Sequence, residues 1–222
     1  MTIENKYYNK PRVITEPRWK SYVAETTIPI FTPERCQDII NLGRSMPPKM
    51  GSVGGKEGVV EDKRLSHISW IPFDSLPPMY YVIEDFMKKT NANHFGFENM
   101  QLTELAQYTE YSNGGFYEWH MDNDIHFATG ESPVRKISMS LLLNHESEFE
   151  GGELELGEED NVAKLRQGHA IFFASFLRHR VKPVTKGTRK SLVMWFGGTP
   201  FKWLENYIFQ HQFTYLTIMT LH

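Results

Sequence analysis

The segment that constrains the fold most runs from Arg189 to Phe196. Its residues are mostly β-branched, aromatic or aliphatic, which is typical of a β-strand, and apolar side chains occur on both of its faces. Such a strand is buried on both sides, so Arg189 needs an anion nearby, because an unpaired buried charge is costly. Arg189 shares one face with Ser191, Val193 and Trp195. Two sources of the anion remain open: the carboxylate of a ligand, or an acidic side chain in a structural ion pair.

A second pattern lies upstream, where His120 and Asp122 are two residues apart. Residues at this spacing point to the same face of a strand. With His179 from a distant strand, they would place two imidazoles and one carboxylate on one side of an ion and leave the opposite coordination positions open. This donor set is expected for non-haem Fe(II) that activates O2. The triplet alone fits a surface histidine beside a solvated aspartate better than a metal site, and the downstream residues reverse that preference.

The combined pattern resembles the 2-oxoglutarate- and Fe(II)-dependent dioxygenases of the prolyl 4-hydroxylase-like group. It reads His120-x-Asp122, then His179-x-Val-x-Pro-Val-x-x-Gly-x-Arg189-x-Ser-Leu. Arg189 and the Tyr-x-Trp-His-x-Asp context make it most similar to the PKHD-type branch. The resemblance covers roughly residues 60–198. It implies a mainly β fold with flanking helices and a double-stranded β-helix (jelly-roll, cupin-like) core.

The resemblance also implies the ligands of the site. His120, Asp122 and His179 would bind Fe(II), and 2-oxoglutarate would chelate the iron as cosubstrate alongside O2, with ascorbate supporting turnover. Arg189 would hold the distal carboxylate of 2-oxoglutarate, and the Tyr108 hydroxyl would face the same cosubstrate. The alternative for Tyr108 is a half-buried strand aromatic with no contact to a ligand.

The residues that would meet the primary substrate are less constrained. Trp195, on the Arg189 face, is expected to wall the pocket near the iron. Arg64 lies near the end of a glycine-rich loop at residues 46–66, which either closes over the site or is a solvent-exposed hairpin. If it closes, Arg64 would contact substrate. Leu142 stands where protein-prolyl relatives often have a tyrosine, which would leave more of the carboxylate recognition to Arg189.

Length and composition bound the organisation of the chain. At 222 residues we expect one domain. We divide it into an arm, helices and mobile loop (residues 1–95), a jelly-roll core with the site (96–200) and an extension (201–222). The net charge of −3 gives no global attraction to nucleic acids or acidic membranes. A single cysteine, Cys36, together with no apolar leader and no long apolar run, predicts a cytoplasmic protein.

Three functions are compatible with these residues. The first is hydroxylation of a prolyl residue in a peptide or protein, which would be the partner. The second is the same chemistry on a free amino acid, a small metabolite or a nucleic-acid base. The third is a non-catalytic metal-binding interaction module. The basic stretch from residue 178 to 190 lacks interleaved aromatic residues, so we interpret it as a solvated rim and not as a nucleic-acid contact.

Overall fold

The structure, a computed structural model, describes residues 21–50, 63–123 and 133–199. The predicted N-terminal arm up to residue 20, the tip of the 46–66 loop and the 201–222 extension lie outside these residues. Two α-helices occur in the described ranges, α1 (Pro33–Ser45) and α2 (Pro77–Thr90). The strands, numbered in chain order, are β1 (Val23–Glu25), β2 (Lys49–Met50), β3 (Arg64–Leu65), β4 (His67–Ile71), β5 (Gln101–Leu102), β6 (Ala106–Tyr111), β7 (Phe116–His120), β8 (Val134–Leu142), β9 (Phe149–Gly151), β10 (Leu154–Leu156), β11 (Ala170–Ala174), β12 (His179–Val181), β13 (Val184–Gly187) and β14 (Arg189–Gly198).

Local sequence signals account for the ends of the helices. The Thr32 side chain caps α1 by accepting a hydrogen bond from the Arg35 backbone N–H at 3.4 Å, and a proline follows as the first helical residue. Helix α1 continues past Gly43 to Ser45. The Tyr108 ring packs against Gly43 in the space that a side chain would occupy, so this position requires glycine. Helix α2 continues into a π-helical turn that closes at Gly96, in the left-handed conformation.

The strands form two main antiparallel sheets that build a double-stranded β-helix, as predicted. The large sheet has eight strands in the order β1-β11-β8-β14-β6-β4-β2, with β5 also paired to β14. The small sheet has the order β10-β12-β7-β3, and β9 pairs with β13 in a separate ribbon. Four of these strands precede residue 96, so the arm and the jelly-roll core are one continuous structure in the described part of the chain.

The large sheet separates two apolar clusters. Helices α1 and α2 cover one face with a cluster that includes Ile137, Met139 and Leu141 of β8. Ser138 and Ser140, between them in sequence, face the other way, and Ser140 lines a cavity next to the small sheet. Successive residues of β8 therefore alternate between the packing surface and the polar site. Neither described helix is long and apolar enough to cross a membrane.

Candidate metal centre and cavity

The pairing of β7 with β12 brings the three predicted metal ligands together. His179 lies directly opposite His120, and Asp122 follows two residues beyond it. The His120 Nε2 is 3.8 Å from Asp122 Oδ1, and the His179 Nε2 is 3.5 Å from Asp122 Oδ2. All three ligand atoms lie within 4.8 Å of one another. Two nitrogens and one oxygen thus converge on a single point, which suits a divalent transition metal.

The backbone fixes the orientation of both imidazole rings. The Nδ1 of His120 lies 2.7 Å from the Glu118 carbonyl oxygen, and the Nδ1 of His179 lies 3.0 Å from that of Leu177. A carbonyl oxygen only accepts hydrogen bonds, so in each neutral ring Nδ1 carries the hydrogen and Nε2 keeps its lone pair. Each lone pair is then directed toward the space that it shares with the Asp122 carboxylate, where a metal ion would accept all three donors.

The charge states at this centre also suit a cation. Burial and the neighbouring His179 lower the pKa of His120 to about 3, so this ring is neutral at physiological pH. Burial raises the pKa of Asp122, but the neighbouring His179 and His120, together with the nearby polar groups of Ser138 and Trp195, outweigh it and leave the pKa below its usual value. A neutral imidazole and an ionised carboxylate are the forms that bind a metal ion.

A β-bulge in β7 supports the metal centre. His179 pairs with His120 and Val181 with Tyr117, so β7 has one more residue than β12 between the two pairs. The extra residue lets both Tyr117 and His120 face the cavity. Their rings stack with centroids 3.5 Å apart. The bulge therefore gives the first metal ligand an aromatic support from its own strand.

A cavity of about 370 Å³ lies between the two main sheets and includes the metal centre. The row predicted on β14 forms one wall, because Arg189, Ser191, Val193 and Trp195 all line the cavity. The Ser191 hydroxyl and the Trp195 indole N–H are buried and make no regular hydrogen bond within the described ranges. Buried polar atoms without partners are rare in folded proteins, so this wall is prepared for a polar ligand.

Arg189 is the main charge on that wall. It is 3% exposed, and burial lowers its pKa. No carboxylate in the described part of the chain lies within ion-pair distance of its guanidinium, whose nearest aromatic neighbour is the Tyr111 ring at 5.9 Å. The alternative of a structural ion pair therefore finds no partner among these residues. A guanidinium in this position can hold a ligand carboxylate.

The prediction for Tyr108 is wrong in the structure. Its side chain lies on the helix-covered face of β6, belongs to the apolar cluster there, and donates a hydrogen bond from its hydroxyl to Glu110. Tyr111, three residues further on, lines the cavity and pairs across the sheet with Arg189. The alternation of side chains along a strand could have distinguished the two tyrosines, because residues an odd number of positions apart face opposite sides of the sheet.

The structure places Arg64 on the cavity wall, where the chain itself holds it. Its guanidinium donates to Ser66 Oγ at 2.7 Å and Gln107 Oε1 at 3.0 Å, and lies 4.5 Å from the centroid of the Tyr117 ring. This arrangement fixes Arg64 as part of the wall. Contact with a substrate remains a prediction.

Sequence reasoning missed another group of cavity residues. The rings of Trp70 and Trp195 are 6.0 Å apart, and the Arg135 guanidinium lies 4.1 Å from the Trp195 ring while it pairs with Glu104. Trp70 comes from β4 and Arg135 from β8, and the pairing of these strands in the large sheet places both side chains in the cavity.

The basic stretch near His179 is largely neutralised. Most of its charges pair with acidic side chains of the described chain: Arg180 with Glu155, Lys182 with Glu155, Lys186 with Glu150, and Lys190 with Glu148. Arg178 lies 4.4 Å from the ring of Trp119. These contacts support the interpretation of this stretch as a rim and not as a nucleic-acid surface.

Comparison with known proteins first defines the class of fold. Over 81% of this chain and 97% of the other, the structure resembles a viral collagen prolyl hydroxylase from Paramecium Bursaria Chlorella virus-1, with a TM-score of 0.62 and 18% identity. A prolyl hydroxylase from Trichoplax adhaerens, solved with a peptide fragment of hypoxia inducible factor, has a TM-score of 0.60 and 20% identity over 80% of this chain and 84% of that one. At this level of identity the likeness shows a shared fold.

The sequence match is narrower. Residues 106–197 match the sequence model of the 2OG-Fe(II) oxygenase superfamily. A PKHD-type hydroxylase from Aliarcobacter butzleri is 39% identical over 92 residues, which cover 40% of this chain and 41% of that protein. The chain thus aligns with about two fifths of this relative's length. The resemblance predicted from the sequence is confirmed over this segment, and it implies Fe(II), 2-oxoglutarate and O2.

Proposed function

We propose that this protein is an Fe(II)- and 2-oxoglutarate-dependent dioxygenase that hydroxylates a prolyl residue in a peptide or protein. The observation that carries this proposal is Arg189, a buried guanidinium without a carboxylate partner in the described chain, on the same cavity wall as the metal centre. A buried cation of this kind requires an anion, and a dicarboxylate cosubstrate supplies one.

His120, Asp122 and His179 would hold the iron through Nε2, a carboxylate oxygen and Nε2. The backbone carbonyls at Glu118 and Leu177 orient the two imidazoles for this role. When bound, the iron with 2-oxoglutarate and O2 supplies the oxidation that gives succinate, CO2 and a hydroxylated substrate. All three ligands line the cavity, which would give the cosubstrate and O2 access to a metal held there.

The β14 wall would bind the cosubstrate at its far end. Arg189 would pair with the distal carboxylate, and the unpartnered Ser191 hydroxyl, two residues along the same face, would donate a further hydrogen bond. Tyr111 replaces Tyr108 as the tyrosine beside this carboxylate, because its ring lies next to the guanidinium. Leu142, which pairs with Ser191 across the sheet, adds no polar group there.

The prolyl substrate is supported by the aromatic wall and by the neighbours of the fold. Trp70 and Trp195 offer apolar ring faces near the metal centre, which suit a pyrrolidine ring. The structurally similar proteins include prolyl hydroxylases, one of them solved with a peptide. Arg64 and Arg135, on the same part of the wall, are the cations closest to a chain that enters there.

Succinate production from 2-oxoglutarate under air, with Fe(II) and ascorbate, tests the proposal with and without a proline-rich peptide library. We expect turnover that rises with particular peptides. Arg189→Lys tests the role of the guanidinium, since it keeps the charge but loses the planar group that binds a carboxylate at two points. It should raise the 2-oxoglutarate requirement and leave the iron requirement unchanged.

Other results of the turnover assay would support one of the two alternative functions. Turnover that no peptide changes, but that a free amino acid or a nucleobase stimulates, would keep the oxygenase and discard the prolyl substrate. Iron binding without any 2-oxoglutarate turnover would favour the interaction module and contradict the proposed activity.

A further inference from the structure

Gln107 is a cavity residue to which neither the metal centre nor the cosubstrate end assigns a role. It lies on β6, is 5% exposed and lines the cavity. Across the large sheet it pairs with Trp70 of β4 on one side and with Val193 of β14 on the other. Its carboxamide therefore lies between Trp70 and the cavity wall formed by β14, which carries Arg189.

The hydrogen bonds of Gln107 fix which end of the amide faces the cavity. Its Oε1 accepts from Arg64 at 3.0 Å and from the Thr109 hydroxyl at 3.3 Å. A guanidinium only donates hydrogen bonds, so the atom that meets Arg64 is the amide oxygen and not the nitrogen. The Nε2 group, with two hydrogens, is turned away from both neighbours.

No acceptor for the Gln107 Nε2 occurs among residues 21–50, 63–123 and 133–199. The side chain is nearly buried, but Nε2 is not fully enclosed, so this donor is open to the cavity. A protein that holds such a group in place with two other hydrogen bonds has it oriented for a ligand.

We propose that Gln107 is a specificity-determining residue whose carboxamide donates a hydrogen bond to a carbonyl or carboxylate oxygen of the ligand in the cavity. This inference rests on the proposed function. It deepens that function by stating what the ligand must offer beside the two tryptophans: an oxygen acceptor, such as the carbonyl of a peptide bond.

The position of Gln107 favours the primary substrate over 2-oxoglutarate as the source of that oxygen. Tyr111 pairs with Arg189 and Gln107 with Val193, so the two positions are four residue steps apart on β14, roughly 13 Å along the strand. The neighbours of Gln107 are Trp70 and Arg64, which lie away from the carboxylate end.

Gln107→Glu is a sharp test, because it keeps the shape of the side chain and the acceptor for Arg64 but removes both N–H donors that face the cavity. One carboxylate oxygen still accepts from Arg64 and Thr109, while the other presents an acceptor in place of the two N–H donors. The binding of N-acetyl-L-prolinamide and of 2-oxoglutarate would be measured separately by calorimetry, without O2, on the Fe(II)-loaded protein. We expect at least a tenfold weaker affinity for N-acetyl-L-prolinamide and less than a twofold change for 2-oxoglutarate.

Thr109→Val is the matched control. It removes a hydroxyl from the same buried cluster but keeps the Arg64 contact and both N–H donors of Gln107, so it should change the affinity for N-acetyl-L-prolinamide by less than about threefold. With a peptide that stimulates turnover, Gln107→Glu should raise KM far more than it lowers kcat. A merely structural role would instead lower kcat and the thermal midpoint in both variants.

The possible failures are distinguishable. Parent protein that binds no 2-oxoglutarate with Fe(II) would contradict the proposed function itself. Parent protein that binds 2-oxoglutarate but no N-acetyl-L-prolinamide up to its solubility limit would overturn the inference alone, as would equal affinities in the parent and Gln107→Glu. A weaker affinity for 2-oxoglutarate only would assign the acceptor to the cosubstrate and overturn its placement on the primary substrate.

Discussion

The two faces of the large sheet differ in whether their polar side chains have hydrogen-bond partners. On the face covered by helices, the Tyr108 hydroxyl donates to Glu110, and Arg44 of α1 donates to the same carboxylate at 2.6 Å. On the cavity face, Arg189 and Ser191 are buried without a carboxylate or hydrogen-bond partner in the described chain. The polar groups named on the helix-covered face thus have hydrogen-bond partners within the described chain, whereas those named on the cavity face have none.

The difference separates stability from binding. Paired groups on the helix face contribute about 1 kcal/mol each to the free energy of unfolding, whereas unpaired buried groups lower it. A ligand that satisfies the cavity face should therefore stabilise the folded protein by mass action. Substitutions on the cavity face should reduce binding more than stability, and substitutions on the helix face should do the reverse.

Asp122→Ala should have the largest effect. Removing the carboxylate leaves two imidazoles, and we expect Fe(II) affinity and 2-oxoglutarate turnover to fall by more than about 100-fold. Calorimetric Fe(II) titration and succinate release would measure this. Glu104→Ala, which removes another cavity carboxylate outside the metal cluster, is the control, and it should still bind iron. Parent-like turnover in Asp122→Ala would refute the metal assignment.

Arg189→Met comes next and tests the contrast directly. Loss of charge-assisted hydrogen bonds should weaken 2-oxoglutarate binding roughly 10- to 100-fold. Without ligand, the free energy of unfolding should stay the same or rise by about 1 kcal/mol, because a buried charge without a partner is replaced by an apolar side chain. Urea unfolding of the ligand-free protein would measure the second effect. A large loss of stability would mean that Arg189 has a structural partner.

Tyr108→Phe should show the opposite behaviour. It deletes one hydroxyl on the helix face, so we expect the free energy of unfolding to fall by about 1 kcal/mol. The affinity for 2-oxoglutarate should change by less than twofold. The same calorimetric and unfolding measurements apply, and a clear loss of 2-oxoglutarate affinity would restore the role first predicted for Tyr108.

Glu110→Gln should have the smallest effect, in the pH dependence of stability. Burial raises the pKa of Glu110, but hydrogen bonds from Arg44 and Tyr108 outweigh it and leave the pKa below its usual value. A carboxyl with a lowered folded-state pKa stabilises the protein above its unfolded pKa and loses that contribution as the pH falls through the folded value. Because Arg44 is half exposed, we expect only a few tenths of a kcal/mol. The free energy of unfolding, measured by urea denaturation at several pH values between 7 and 4, should decrease slightly less with falling pH in the variant than in the parent protein.

The parts of the site that the sequence predicted are those encoded by local spacing. His120 and Asp122 are neighbours on one segment, and Arg189 is marked as unusual by the apolar strand around it. The alternation of β8 was also readable, because Ile137 and Ser138 differ in polarity.

What the sequence could not predict depends on register and on distant pairing. Tyr108 and Tyr111 are both aromatic residues of one strand, and an uncertainty of one residue in its phase exchanges the two faces. Trp70 and Gln107 become neighbours only because β4 pairs with β6. The orientation of the Gln107 amide depends in turn on Arg64, which is 43 residues away.

The bulge in β7 has a consequence for how the chain can vary in length. Most segments of a jelly roll end in loops that accept insertions. The six residues from Tyr117 to Asp122 cannot, since one residue more or fewer would turn either the aromatic support or His120 out of the cavity. We therefore expect insertions and deletions engineered into this protein to be tolerated at its hairpins and to fail within this short segment, whatever residues they contain.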